Sequence, residues 1–159
     1  MKNLVKLALI GAALVFSSLL MAGDYGSREE AKAMTERAAA LAKEIGIEAA
    51  SKEFHDKDGE FFDRDLYVFA YNNDGVLLAF GAKQHMVGKN MWNFKDFEGK
   101  LIVQDFLAIK PGTTEWIDYK WQNPVSGRID HKDTYIIRTD DYLVAVGYYT
   151  DDFYQASNE

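Results

Sequence analysis

The chain has 159 residues, of which 48% are hydrophobic and 14% aromatic, which is enough for one domain with a substantial core. Its formal net charge of −7 argues against nucleic acid and anionic lipid head groups as partners. It contains no cysteine, which excludes disulfides, thiolate metal sites and cysteine nucleophiles.

The first 22 residues have the pattern of a secretory signal peptide. Lys2 and Lys6 precede an apolar run that starts at Leu7 and ends in small or apolar residues at Ala22. A retained membrane anchor is the alternative, although this run is shorter than the roughly 20 residues that a spanning helix needs. We therefore expect residues 1–22 to be cleaved. Residues 23–159 would then form a periplasmic or secreted domain with no stable membrane insertion.

The segment from residue 27 onward predicts a long amphipathic helix. Ser27 followed by Glu30 is a capping-box pair, in which the hydroxyl and the carboxylate satisfy backbone donors at a helix start. Apolar residues then recur at steps of three and four on one stripe. The members of this stripe are Ala31, Met34, Ala38, Leu41 and Ile45. We expect the helix to cover one face of a sheet and to kink or end at Gly46, with a shorter continuation behind it.

Residues 66–81 predict a β-hairpin around the turn Asn72-Asn73-Asp74-Gly75. In its first strand, aliphatic and aromatic side chains alternate, so each face of the sheet is apolar. The aliphatic set is Leu66, Val68 and Ala70, and the aromatic set is Tyr67, Phe69 and Tyr71. Because both faces must be covered, we expect the preceding helix on the aliphatic face and the following chain on the aromatic face.

The following chain predicts a lid and three more strands. Residues 82–112 are interrupted by glycines and read as an irregular excursion with a short helix near residues 103–109. Strands are predicted at residues 114–121, 132–138 and 142–149. The predicted class is therefore α+β, with one five-stranded antiparallel sheet.

An ordered set of short motifs resembles one family. The motifs are Gly46-Ile47-Glu48-Ala49-Ala50, Asp58-Gly59, Tyr67-Val68-Phe69, Asp74-Gly75, Val87-Gly88-Lys89-Asn90, Asp96, Gly99-Lys100, Trp116-Ile117-Asp118-Tyr119-Lys120-Trp121, Asn123-Pro124, Lys132, Tyr135 and Val146-Gly147-Tyr148-Tyr149. Together they resemble a single Cache domain of the sCache_2 type, found in the extracytoplasmic parts of bacterial chemoreceptors and sensor kinases. The resemblance covers about residues 28–150.

This resemblance implies a PAS-like fold with a long N-terminal helix behind a central antiparallel sheet. It also implies a small ligand, often a short carboxylate, on the opposite face beneath a lid of loops and short helices. One departure is Phe80-Gly81, where family members often carry a His-Pro pair. Another is that the chain ends soon after the domain. We therefore expect a free-standing exported binding protein, with a membrane chemoreceptor or sensor kinase as a partner.

A pocket for a small anion needs a cation, a few hydroxyl or amide donors and apolar walls. With the family resemblance, Lys132 is the first choice for the cation and Arg138 the alternative, although either could be a solvated surface side chain. We expect the aromatic side of the strands to enclose a cavity next to this cation. The candidates for walls and hydroxyl donors are Tyr67, Phe69, Tyr119, Trp121 and Tyr135.

Three further side chains are candidates for this pocket. Trp92 from the lid and Trp116 from a strand could cap it. Asp118 could accept from a ligand amine, or it could pair with Lys120 or Lys132. The sequence therefore leaves open whether the ligand is a plain carboxylate or carries an amine.

No catalytic, metal or cofactor site is expected, and the chain is interpreted as a non-enzyme. His55, His85 and His131 lack the close spacing of metal ligands. An exported hydrolase that uses the loop carboxylates between Asp56 and Asp65 is one alternative function. A protein-interaction module without a ligand is the other.

Overall fold

The computed structural model of the chain describes residues 25–150. The predicted signal peptide and its cleavage point lie outside the described residues. Within residues 25–150, no helix is long and apolar enough to cross a membrane.

The N-terminal helix α1 spans Arg28–Ile45 and begins with the predicted capping box. The Ser27 Oγ accepts from the Glu30 backbone N–H at 3.2 Å, and the Glu30 carboxylate accepts from the Ser27 N–H at 2.8 Å. Gly46 ends this helix with φ at +86°, a backbone conformation that favours glycine. A second helix, α2, follows directly over Ile47–Phe54, so the predicted break at Gly46 is a helix end.

Within residues 25–150 the sheet has six strands, and all of its pairings are antiparallel. The strands are β1 (Phe62–Asp63), β2 (Leu66–Asn72), β3 (Leu77–Phe80), β4 (Thr114–Gln122), β5 (Ile129–Arg138) and β6 (Tyr142–Thr150). Their order is β1-β2-β6-β5-β4, and β3 also pairs with β2. The α+β class is confirmed, but the predicted count of five strands was wrong. The additional strand β1 has only two residues, which is too short for an alternating pattern.

Each face of the sheet is covered as the hairpin pattern predicts. The helices α1 and α2 pack on the aliphatic face, where Leu66, Val68 and Ala70 are fully buried beneath them. The aromatic face is covered by the lid, residues 82–112, whose helix α3 spans Ile102–Ala108. Ile102, Val103 and Phe106 of this helix are buried, as expected of a short helix that packs back on the sheet.

Candidate functional site

The site is centred on Lys132, which lies near the start of β5 on the lid-facing side of the sheet. The strand register places Lys132 opposite Tyr119 of β4 and Tyr149 of β6. Its side chain has 0% exposure to solvent. The alternative interpretation of Lys132 as a surface lysine is therefore wrong.

Three aromatic rings surround the Lys132 amino group. The Nζ atom lies 3.8 Å from the centroid of the Tyr67 ring, 4.9 Å from that of Tyr149 and 5.6 Å from that of Phe69. Such rings stabilise a cation through their negative faces but accept no conventional hydrogen bond. Among residues 25–150, the Nζ atom has no hydrogen-bond partner. Since buried polar groups are nearly always paired, this amino group marks an unusual position.

Gly147 on β6 makes room for the lysine side chain. A Cβ atom at this position would lie 2.2 Å from the Thr134 Oγ1, 2.5 Å from the Lys132 Cε and 2.9 Å from its Cγ. These distances are far below van der Waals contact. The methylene stem of Lys132 therefore lies across the bare backbone of Gly147, a role that sequence reasoning missed. A glycine within an otherwise buried strand was the available signal.

Burial governs the charge of Lys132. Desolvation lowers the pKa of the Lys132 amino group well below its usual value, because an ammonium ion without water is unstable. The carboxylate of Asp65 opposes this shift by electrostatic attraction. Asp65 is itself fully buried, and its oxygens accept from the Gly26 N–H at 2.7 Å and the Asn123 side-chain amide at 3.2 Å. Asp65 therefore acts on Lys132 through its field, while its hydrogen bonds go to other partners.

The tyrosine hydroxyls around the lysine form an ordered set. The Tyr67 and Tyr149 hydroxyl oxygens are 3.0 Å apart, and the Tyr149 hydroxyl donates to the Gln122 carbonyl at 2.9 Å. The Tyr119 hydroxyl oxygen accepts from the Thr134 hydroxyl at 3.2 Å. Burial raises the pKa of Tyr67, Tyr119 and Tyr149, so all three keep their protons at neutral pH. Within residues 25–150 this contact with Thr134 is the hydrogen bond found for the Tyr119 hydroxyl, which can rotate to donate to a ligand.

A small cavity lies among these rings. Its lining residues are Tyr67, Phe69, Tyr71, Phe80, Ile102, Phe106, Tyr119 and Trp121. The space open to a water-sized molecule is about 20 Å³, which suffices for about one water. The cavity lies on the aromatic side of the sheet, but Lys132 is not among its lining residues and it lacks the expected room for a carboxylate ligand. The side chains of α3 and the sheet close it in this conformation.

The structure brings five of the predicted site residues together. Tyr67, Phe69, Tyr119 and Trp121 line the cavity, and Lys132 packs against the rings of the first two. Trp92 lies on the lid beside the Gly75 turn, with its side chain 41% exposed, and does not line the cavity. The sequence analysis did not select Tyr149, Phe80, Ile102 and Phe106 as pocket residues.

Three predicted site residues lie on the helix side of the sheet. The Trp116 and Tyr135 rings pack against each other at 5.0 Å, and the Arg28 guanidinium of α1 lies 3.8 Å above the Trp116 ring. Asp118 is exposed and lies opposite Asp133 on β5. The structure thus separates Trp116, Asp118 and Tyr135 from the cavity. Their positions in the strands alternate with those of Tyr119 and Lys132, which explains the separation.

Arg138, the alternative cation, lies at the other end of β5. Its Nη2 donates to the Asn73 side-chain oxygen at 2.6 Å, and its Nη1 donates to the Thr139 carbonyl at 3.3 Å. The Asn73 amide in turn donates to the Asp140 carbonyl at 2.7 Å. Arg138 thus links the β2–β3 and β5–β6 turns, and the structure does not bring it to the cavity.

The loop carboxylates do not form a paired site. Four of them are exposed: Asp56, Asp58, Glu60 and Asp63. Asp65 is buried, and its carboxylate accepts hydrogen bonds from Gly26 and Asn123. His55 accepts the Phe80 N–H at 3.0 Å, a structural contact that sequence reasoning missed. Within residues 25–150, no three His, Asp or Glu side chains converge in an arrangement that could hold a metal ion.

Comparison with known protein families identifies the domain. The family model described as Single Cache domain 2 matches residues 17–159, which is most of the chain. The chain belongs to this family. Cache domains of this family are extracytoplasmic sensor modules of chemoreceptors and sensor kinases, so the resemblance found in the sequence is confirmed.

Relatives and solved structures agree with this assignment. The Cache domain is 26% identical over 98 residues to the sensor histidine kinase MctS of Rhizobium johnstonii. The match covers 60% of this chain but only 21% of that kinase. A methyl-accepting chemotaxis protein from Vibrio parahaemolyticus has the same fold, with a TM-score of 0.66, 22% identity and coverage of 78% of this chain and 88% of that one.

A second solved structure concerns ligand recognition. This structure is of a Cache chemosensory domain that recognises a carboxylic acid. Its TM-score is 0.59 at 17% identity, with coverage of 77% of this chain and 88% of that chain. At such identities the likeness concerns the fold of the Cache domain.

Proposed function

We propose that this Cache domain is exported, captures a short organic acid at Lys132 and presents it to a chemoreceptor or sensor kinase. The observation that carries the proposal is the buried Lys132 amino group, which has no hydrogen-bond partner among residues 25–150. Leaving such a group unpaired costs about 1–3 kcal/mol. A carboxylate at this position supplies the missing acceptor and a charge-assisted hydrogen bond.

The surroundings of the amino group favour a plain carboxylate over an amino acid. The residues that line the cavity are aromatic or aliphatic, and none is acidic. Asp118, the candidate partner for a ligand amine, lies on the helix side of the sheet and is exposed. Because a buried ammonium needs a carboxylate or several acceptors, a ligand with an amine would be penalised here. The Tyr119 hydroxyl, which lines the cavity, is a second donor to the carboxylate.

The closed cavity implies that binding requires movement of the lid. Ile102 and Phe106 of α3 face the sheet rings, and the Phe106 ring lies 5.4 Å from that of Tyr119. A carboxylate with four or more heavy atoms needs more than the present 20 Å³. Outward displacement of α3 enlarges the cavity while the sheet and Lys132 stay in place. Ligand occupancy and lid position are thereby linked.

The test is a thermal-shift screen of the purified protein. Acetate, propionate, lactate and pyruvate should raise the melting temperature in proportion to ligand concentration, because they bind the folded state. Amino acids and amines should have smaller effects. The Lys132→Met variant should lose the carboxylate response, while Lys110→Met at an exposed lysine should keep it. An equal carboxylate response in Lys132→Met would contradict the assignment of the lysine.

A further inference from the structure

A consequence for protonation follows from the way Lys132 is enclosed, and it rests on the proposed function. The Nζ atom is buried, and in the described part of the chain it has neither a hydrogen-bond acceptor nor a carboxylate within 4.0 Å. The methylene stem lies across the bare backbone of Gly147, which holds the amino group beneath the aromatic rings while the lid is closed. An amino group held in this way is most stable as the neutral amine.

The amino group faces the rings of Tyr67 and Phe69 on β2 and that of Tyr149 on β6, while Tyr119 on β4 is the register partner of Lys132. Such rings stabilise an ammonium ion, but none is a charged partner. All three tyrosines are neutral hydroxyls near neutral pH, because burial raises their pKa. The lid contributes the apolar side chains of Ile102 and Phe106 to the adjoining cavity, which Tyr67, Phe69 and Tyr119 also line.

Asp65 is the charged group that acts on Lys132 from the start of β2. Its carboxylate favours the ammonium form, but the distance is beyond a salt bridge, and its oxygens already accept from Gly26 and Asn123. Burial also raises the pKa of Asp65 itself. Asp65 therefore offsets only part of the desolvation of Lys132.

A bound carboxylate changes this balance. Its negative charge lies beside the amino group and accepts hydrogen bonds from it, so the ammonium form becomes the stable one. The neutral amine must then take a proton from solvent as the ligand enters. The products are an ammonium ion and a carboxylate ion in contact, and no bond in the ligand is broken.

We propose that the site at Lys132 binds a carboxylate together with one proton, so its occupancy follows the product of carboxylate and hydrogen-ion concentrations. The domain thereby reports an acid more strongly in an acidic medium than in an alkaline one. At a fixed acetate concentration, occupancy falls as pH rises. The acetate ion itself is already fully charged above about pH 6, because carboxylic acids titrate near pH 4 to 5. The pH dependence in that range therefore belongs to the protein.

Titration calorimetry with acetate in buffers of different ionisation enthalpy tests this inference. Phosphate and Tris release their protons with different heats. The difference in observed binding enthalpy between the two buffers at the same pH therefore gives the number of protons taken up on binding. At a pH between the pKa of the buried amine and that of the ligand-bound ammonium, we expect an uptake that approaches one proton per acetate. Over that window the dissociation constant should rise with pH, by up to tenfold per pH unit, as linkage requires for one proton.

The outcomes separate this inference from the function on which it rests. Acetate binding with the same enthalpy in every buffer and a dissociation constant independent of pH would overturn proton coupling, while the carboxylate site would stand. No acetate binding in any buffer would overturn the proposed function, and with it this inference. In the control variant Lys132→Met, a buffer-dependent heat of the wild-type size would also overturn it, because the proton would then be taken up elsewhere.

Discussion

The side chain of Lys132 lies directly over Gly147 on the neighbouring strand. A Cβ atom on Gly147 would approach the Lys132 Cε to 2.5 Å and the Thr134 Oγ1 to 2.2 Å. The missing side chain at Gly147 thus allows a long, flexible residue to lie flat beneath the aromatic rings. The position of the amino group depends on this glycine as much as on the lysine itself.

The first prediction concerns this contact. Gly147→Ala should force the lysine stem away from the sheet, destabilise the protein by about 1–3 kcal/mol through overpacking and weaken carboxylate binding at least tenfold. Chemical denaturation measures the first effect and calorimetry the second. Gly59→Ala, in the loop after α2, is the control: its Cβ would lie 3.1 Å from the Asp56 Cβ, a tight contact that is milder than the one at Gly147 and does not involve Lys132, so carboxylate binding should not change. Unchanged stability and binding in Gly147→Ala would contradict the described position of Lys132.

The second prediction concerns stability without ligand. Lys132→Met keeps most of the volume and removes the unpaired amino group, so the ligand-free protein should gain on the order of 1 kcal/mol in its free energy of unfolding. The same substitution should abolish carboxylate binding. Denaturation in urea without ligand measures the gain, with Lys110→Met as the exposed control. A marked loss of stability in Lys132→Met would indicate that the amino group has a partner in solution.

The third prediction is a pH dependence of stability. Because the pKa of Lys132 is lowered in the folded state, the unfolded chain binds more protons over the window between that pKa and about 10.4. The contribution of Lys132 to the free energy of unfolding must therefore rise with pH across this window and fall as pH decreases. Denaturation curves from about pH 7 to 10 give the free energy of unfolding at each pH. Its slope against pH should be larger in the wild type than in Lys132→Met. Parallel pH profiles would contradict a lowered pKa.

The fourth prediction separates the two faces of the sheet. Tyr119→Phe removes the hydroxyl proposed to donate to the ligand and should cost roughly 1 kcal/mol of binding free energy. Tyr135→Phe changes a strand neighbour that packs on Trp116, and it should leave binding unchanged. Calorimetry with the same carboxylate on both variants makes the comparison. A larger effect at Tyr135 would place the ligand on the helix side.

Much of the fold could be predicted from local sequence patterns. The capping box at Ser27 and the alternation in β2 depend on neighbouring residues, so both were visible in the sequence. The strand β1 was missed because two residues carry no period. The sequence also contained the information that Tyr135 and Lys132 lie on opposite faces of the sheet. Residues three positions apart in a strand point to opposite faces.

The chemistry of the site was less accessible to sequence reasoning. The role of Gly147 depends on the path of a side chain on the next strand, and the partners of Asp65 come from Gly26 and Asn123, distant in sequence. The complete burial of Lys132 and the closed cavity depend on how the lid packs, which no local pattern determines. Because most lysines are exposed, the sequence alone would favour a surface position for Lys132. The family resemblance was needed to select it as the cation of the site.

The decisive measurement is a crystal structure of the protein with the carboxylate that gives the largest thermal shift. We expect a carboxylate oxygen about 2.7–2.9 Å from the Lys132 Nζ, beneath a displaced α3 and within reach of the Tyr119 hydroxyl. A ligand bound elsewhere, with the lysine still unpaired among its aromatic rings, would contradict this expectation.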